Sequence, residues 1–245
     1  MRSHILWLLI LQAVVLVALI IFFMPPSESR LDAIAKHAGT EAKRLHDLFV
    51  YERRTNPFTT LDDIPNNNPI KIKLLDALTT EQKALEQLIA SRPKKLEYQY
   101  RLAQSLLLQE KREEGIALMN KIAPDNKAGF PKAHLYRANR LLRLPSRNNS
   151  WRWNNDKAIK HLSYVLESDS KNEEARELLA QLFFQKNRLD EAYDLYESLF
   201  LEDPEFYGEL IRINERRGQA GLNWAILASA TSRFSKQILL SLIHI

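Results

Sequence analysis

Of the six histidines in the chain, His4 and His244 stand near its ends, and His37, His46, His134 and His161 lie inside it. None falls in the His-Glu-x-x-His pattern that turns two imidazoles and a carboxylate onto one helix face for zinc. The adjacent carboxylates Asp62 and Asp63, and Glu113 and Glu114, sit in polar loop or helix-turn settings, where solvation rather than proton transfer is expected. There is no cysteine. Disulfides, thiolate zinc sites, iron-sulfur clusters and cysteine nucleophiles are therefore excluded from these residues. No Gly-x-x-x-x-Gly-Lys-Ser/Thr loop and no Gly-x-Gly-x-x-Gly turn offers backbone amides to a phosphate. The sequence assigns no catalytic residue, metal ligand or cofactor, and predicts a chain that binds rather than reacts.

The residues best suited to binding are Trp151, Arg152 and Trp153, with Arg147 before them and Arg137, Arg140 and Arg143 further upstream. Indole and guanidinium groups together are typical of interface hot spots. Three readings compete: the tryptophans cap an exposed hairpin, they contact a partner protein, or they touch lipid headgroups or nucleic acid. No recognised nucleic-acid module accompanies them, so no nucleic-acid partner is expected. The surrounding charge is uneven. From Lys127 to His161 there are nine Lys and Arg against the single acid Asp156, and from Glu173 to Arg217 twelve Asp and Glu against six Lys and Arg. Such runs are solvated helix faces or a polar partner surface.

The elements that would position these groups are helical. Among 245 residues there are only six Gly, against long runs of Leu, Ala, Glu, Lys, Arg and Gln, which lose least on entering a helix. The fold class is all-α. Residues 5–23 form a 19-residue run with no charge, about the span of the hydrocarbon layer at helical rise. The run ends in Phe22, Phe23, Met24, Pro25 and Pro26 rather than in a small-residue cleavage site. The expectation is an uncleaved transmembrane helix and a single-pass protein of a bacterial inner membrane, with a cleaved leader as the competing reading. Arg2 on one side and Arg30, Lys36, Lys43 and Arg44 on the other leave its orientation open. At the other end, residues 240–245 read LSLIHI, which resembles a translated sequencing adaptor.

Leu31, Ile34, Ala35, Ala38, Ala42, Leu45 and Phe49 fall at helical steps and predict a juxtamembrane helix. The Pro-, Asn- and Asp-rich stretch from Thr55 to Pro69 reads as a linker. Beyond it, Ala158 and Ala192 stand 34 residues apart, each followed four residues later by a larger apolar residue, Leu162 and Tyr196. A period of that size signals stacked helix hairpins. Residues 174–204 resemble a tetratricopeptide repeat, with Leu179, Ala180 and Phe183 in the first helix, Asn187 at the turn, Ala192 and Tyr196 in the second helix, and Pro204 closing the unit. A weaker copy contains Leu102, Ala103, Leu106, Gly115, Met119 and Ile122. An interrupted copy contains Ala138, Leu141, Ala158, Leu162 and Val165. Gly115 to Ala158 is 43 residues, nine more than one period, and the stretch 145–155 supplies the excess as an insertion. A loose fourth pair covers Phe206 to Arg217 and Gln219 to Phe234.

The resemblance implies a helix-hairpin solenoid whose first helices build a concave wall for a protein or peptide partner. Carried over position by position, that wall contains Tyr100, Gln104 and Leu107, then Asn139, Leu142 and Arg143, then Glu177, Gln181 and Phe184. The Leu and Phe positions are equally suited to the hairpin core. The Lys and Asn pair with which some relatives hold a terminal carboxylate is not matched, because Tyr100 with Gln104, Leu135 with Asn139, and Glu177 with Gln181 occupy those places. The predicted organisation is a tail over 1–4, a transmembrane helix over 5–24, a juxtamembrane helix over 25–54, a linker over 55–70, a repeat domain over 71–235 and a non-native tail over 240–245. The function expected is a membrane-anchored interaction scaffold without catalysis. The alternative is an accessory region of a longer protein whose enzymatic or metal-binding domain follows it.

Overall fold

A computed structural model describes residues 26–53, 65, 67–143 and 151–243, and every regular element among them is a helix. The chain divides into two units at Gly115.

In the first unit, α1 (Glu28–Arg53), α2 (Pro69–Ser91) and α3 (Leu96–Leu108) pack in succession. Leu31, Ala35, Ala38, Ala42 and Leu45 are buried on one face of α1, as their spacing requires, while Ile34 stays exposed. Leu31 and Ala35 cluster with Leu85, Leu88 and Tyr98, and Ala42 and Leu45 cluster with Leu74, Ala77 and Leu78. The start of α1 thus meets the end of α2, which makes the pair antiparallel. Asn68 caps α2, its side-chain oxygen accepting from the Ile70 and Lys71 amides at 2.9 and 3.2 Å, and Pro69 takes the first helical position.

A charged network ties the three helices. Arg101 of α3 lies 3.0 Å from Asp32 of α1 and 3.8 Å from Glu81 of α2. Glu81 is only 6% exposed and lies over Gly39, where any Cβ would overlap its carboxylate. Burial pushes the Glu81 carboxyl above its ordinary value. Because the folded value exceeds the unfolded one, Glu81 favours folding most at low pH, and that contribution is lost as pH rises through the folded value. Glu81→Gln removes the titrating group. The thermal midpoint of the variant, relative to the parent chain, is expected to rise between about pH 4 and pH 7.5. A constant difference across that range would contradict the burial of this carboxyl.

The turn after α3 leads into α4 (Arg112–Ile122) and is built like the turn between α7 (Glu173–Gln185) and α8 (Leu189–Glu202). Glu110 and Asn187 adopt left-handed φ values of 61° and 60°. The Lys111 amide donates to the Leu106 carbonyl at 3.0 Å and the Arg188 amide to the Phe183 carbonyl at 2.8 Å, closing the helix in the same six-to-one pattern. Each left-handed residue precedes a small one by five positions, Gly115 or Ala192. A Cβ at Gly115 would lie 2.7 Å from Leu107 Cγ and 3.0 Å from the Ala103 carbonyl, so the helices of that hairpin meet more closely than Ala allows.

The second unit stacks α5 (Pro131–Arg143), α6 (Trp151–Ser168), α7, α8, α9 (Tyr207–Arg216) and α10 (Asn223–Ile243), each packed on the next. One continuous core runs through it. Ala138, Ala158, Leu162, Val165, Leu179, Ala180, Phe183, Ala192, Tyr196, Leu199, Leu210, Ile213 and Ile226 all belong to it. The small residues admit close helix approach and the larger ones fill the spaces beside them. Arg176 of α7 holds Glu202 of α8 with two hydrogen bonds of 2.9 and 2.7 Å, and Lys186, which caps the end of α7, reaches Asp156 of α6 at 2.7 Å.

Two expectations change. The single-pass membrane protein is corrected: among the described residues no helix is long and apolar enough to cross a membrane. The long helices fail for a physical reason. Charged residues recur every few positions along α1, α2 and α6, and α10 carries Arg233 and Lys236 among Asn, Ser, Thr and Gln residues. Residues 5–23, on which that expectation rested, lie outside the described residues. Secondly, α6 begins at Trp151, so the latter part of the stretch 145–155 is helix rather than loop, while residues 144–150 lie outside the described residues. The helix α10 continues through Ile243, and His244 and Ile245 lie outside the described residues.

Candidate partner-binding groove

In the second unit the first helices of successive hairpins are α5, α7 and α9, and the side chains that sequence reasoning placed on the concave wall can be followed along them. Asn139 of α5 donates to Glu174 of α7 at 2.7 Å, bridging neighbouring hairpins. On α7, Gln181 donates to Glu177 at 3.0 Å, one turn back. Arg143 is exposed in the last turn of α5. Leu142 and Phe184 are partly buried against the core, which places them between the two roles open to them. In the first unit, Gln104 donates to the Tyr100 hydroxyl at 3.0 Å on the exposed face of α3, and Leu107 is half-buried beside Gly115. Trp151, Arg152 and Trp153 form the first turn of α6, and their side chains lie outside the described residues.

Further along α7 lies a cleft of about 200 Å³ lined by Gln181, Phe184, Gln185, Tyr196, Glu209 and Arg212. Each group is positioned by its helix. Gln181 and Gln185 stand one turn apart on α7, and Glu209 and Arg212 three residues apart on α9. Arg216 stacks 4.4 Å over the Phe184 ring and donates to the Phe184 carbonyl at 3.1 Å, fixing the end of α7 against α9. Tyr196 reaches the cleft from α8. It is only 4% exposed, and its ring lies 6.2 Å from that of Phe206. Burial raises the Tyr196 phenol above its ordinary value, and the nearby Glu209 and Glu177 raise it further while Arg212 opposes them. The phenol is therefore a neutral donor at any physiological pH.

Chemically, the cleft offers two amides that both donate and accept, a neutral hydroxyl, one guanidinium and one carboxylate. These groups can pair with the amides and side chains of an extended chain. Among the described residues no group of three or more His, Asp or Glu could hold a metal ion. Sequence reasoning missed Gln185, Glu209 and Arg212, and read Tyr196 as a core filler. The signal was available at Glu209 and Arg212, which bear opposite charges at adjacent positions of one face of a first helix.

No curated protein sequence matches the chain significantly. Among solved structures, a MamA crystal structure superposes with a TM-score of 0.46 at 14% identity, covering 69% of this chain and 88% of that one. A MamA RS-1 ArsTM double mutant gives a TM-score of 0.44 at 12% identity, with 80% and 96% covered. TTC0263, described as a thermophilic TPR protein of Thermus thermophilus, gives 0.40 at 12% identity, with 71% and 91% covered. Residues 154–210, which run from α6 through α7 and α8 into α9, match the tetratricopeptide repeat family, and the second unit is a tetratricopeptide-type stack of helix hairpins.

Proposed function

We propose that this chain is an interaction scaffold that performs no catalysis and whose second unit holds an extended segment of a partner protein along α5, α7 and α9. The observation that carries this reading is the cleft at Tyr196, where a nearly buried phenol faces Gln181, Gln185, Glu209 and Arg212. Buried polar atoms left without a partner are costly, and a wall of amides is suited to satisfying the backbone of a bound strand. Asn139, Glu174 and Glu177 continue the polar track towards α5. Within the cleft the charge of Glu209 is balanced by that of Arg212, so this point selects a segment by its hydrogen bonds rather than by net charge.

The test is selection of peptides from a random library on the full chain, followed by affinity measurement. Peptides selected on the parent chain are expected to bind a Gln181→Ala, Gln185→Ala variant about thirtyfold more weakly, since each amide contributes roughly one net hydrogen bond of about 1 kcal/mol. Peptides that bind both forms equally, or no selected peptide at all, would remove this groove from the function. The variant should keep the helicity of the parent, because both amides are exposed.

A further inference from the structure

Away from the groove, the rings of His134 and His161 meet inside the α5–α6 hairpin, each no more than 1% exposed. Their Nδ1 atoms are 2.8 Å apart. His161 Nε2 lies 3.4 Å from Asp125 Oδ1 in the connection between α4 and α5, and that carboxylate is also held by Arg137 of α5 at 2.5 Å and Lys157 of α6 at 3.3 Å. The charge beside the pair orders the tautomers. A carboxylate 3.4 Å away disfavours a bare lone pair facing it, so His161 carries its proton on Nε2 and accepts at Nδ1. His134 must then donate from Nδ1, which leaves its Nε2 a bare acceptor. That atom is buried, with the Tyr164 ring centred 5.0 Å from the imidazole, and it meets no hydrogen-bond partner.

We propose that this relay, Asp125 to His161 to His134, is an acid-sensitive latch: it holds α5 against α6 while both imidazoles are neutral, and uptake of a proton opens the hairpin. The relay is saturated as it stands. The one vacant lone pair is His134 Nε2, and a proton placed there would be a buried N–H without an acceptor on a cation beside Arg137. Arg137 from α5 and Lys157 from α6 oppose the added charge, and Asp125 alone favours it. Burial first, and then Arg137, hold both rings down to about 4, from an ordinary value of 6.5. The open form therefore binds protons that the closed form refuses. Stability from the latch is fully present above about pH 6.5 and falls as the pH drops towards about 4. Asn139, which bridges to Glu174, rides on the same helix as His134, so opening also withdraws one end of the groove wall.

The test is hydrogen exchange on the full chain at pH 7.5 and 5.0, corrected for the intrinsic pH dependence of amide exchange. Protection across Pro131–Arg143 and Trp151–Ser168 is expected to fall at least about tenfold more than protection across α8. In His134→Gln, His161→Gln, where amides replace both titrating rings, that extra loss should vanish. Equal losses in the parent chain and the variant would overturn the latch. A second measurement stands should the variant not fold. Two of the six imidazoles of the parent chain should keep neutral NMR shifts down to about pH 5, and titration of all of them near the ordinary value would overturn it equally.

Discussion

Leu162→Ala is expected to lower the unfolding free energy by about 3 kcal/mol, within the range for removing a buried leucine from a core that cannot collapse. Leu162 has no exposed surface and stands in the middle of α6, in one cluster with Ala138 of α5 and Leu179 and Phe183 of α7. Several of its neighbours in that cluster are alanines, including Ala158, Ala175 and Ala180. Short side chains cannot swing into a void, so most of the cavity should remain and the cost should include its full lining as well as the lost transfer energy. Leu201, near the end of α8, is 60% exposed. Leu201→Ala should change stability by no more than about 0.5 kcal/mol. Urea unfolding of the two variants, read by far-ultraviolet circular dichroism, compares them directly. Similar midpoints for both would mean that α5, α6 and α7 do not share a packed core.

The part of the fold that repeats was legible, because repetition writes itself into spacing. Ala158 and Ala192 marked the second helices of two hairpins, and Asn187 marked a turn that does adopt the left-handed conformation. Glu110 occupies the corresponding turn without the Asn or Gly that such a φ favours, so composition alone gave no notice of it. In the first unit, the buried face of α1 could be read from Leu31, Ala35, Ala38, Ala42 and Leu45. Its partner could not, since helical periodicity reports which side of a helix is apolar and not what covers that side. The Asp32–Arg101 pair joins residues 69 apart, and no local pattern brings them together.

The candidate site was legible only in outline. Family positions led to Asn139, Glu177 and Gln181, all on first helices, but the cleft depends on Tyr196 from a second helix. An amphipathic side chain such as tyrosine can line a core with its ring and a cleft with its hydroxyl, and a one-letter pattern records only the first property. The two histidines show a different limit. Each looked isolated along the chain, yet once Ala138 is set opposite Ala158 the antiparallel register brings His134, four residues before the one, beside His161, three residues after the other. The residues between α5 and α6 hid that register by breaking the period. The membrane expectation came from a single apolar run and drew on no other part of the chain, and the helices that the structure describes offer it no support.

Ala192→Phe is expected to cost about 3 kcal/mol, the upper end of what overpacking usually does. Ala192 has no exposed surface and lies in the first turn or two of α8, in one cluster with Leu179, Ala180 and Phe183 of α7. A benzyl group there has no rotamer that avoids the neighbouring helix, so either α8 moves off α7 or the ring forces its neighbours from their preferred torsions. Movement of α8 would also stretch the paired bonds between Arg176 and Glu202 that join the two helices near the other end of α8. Ala158→Phe, one period upstream and equally buried, should cost a similar amount, because the same place in the hairpin meets the same constraint. Ala228→Phe on the exposed face of α10 should stay within about 0.5 kcal/mol of the parent chain. The comparison separates register from size: a large loss at Ala192 with none at Ala158 would show that the two alanines are not equivalent and that the spacing between them is fortuitous.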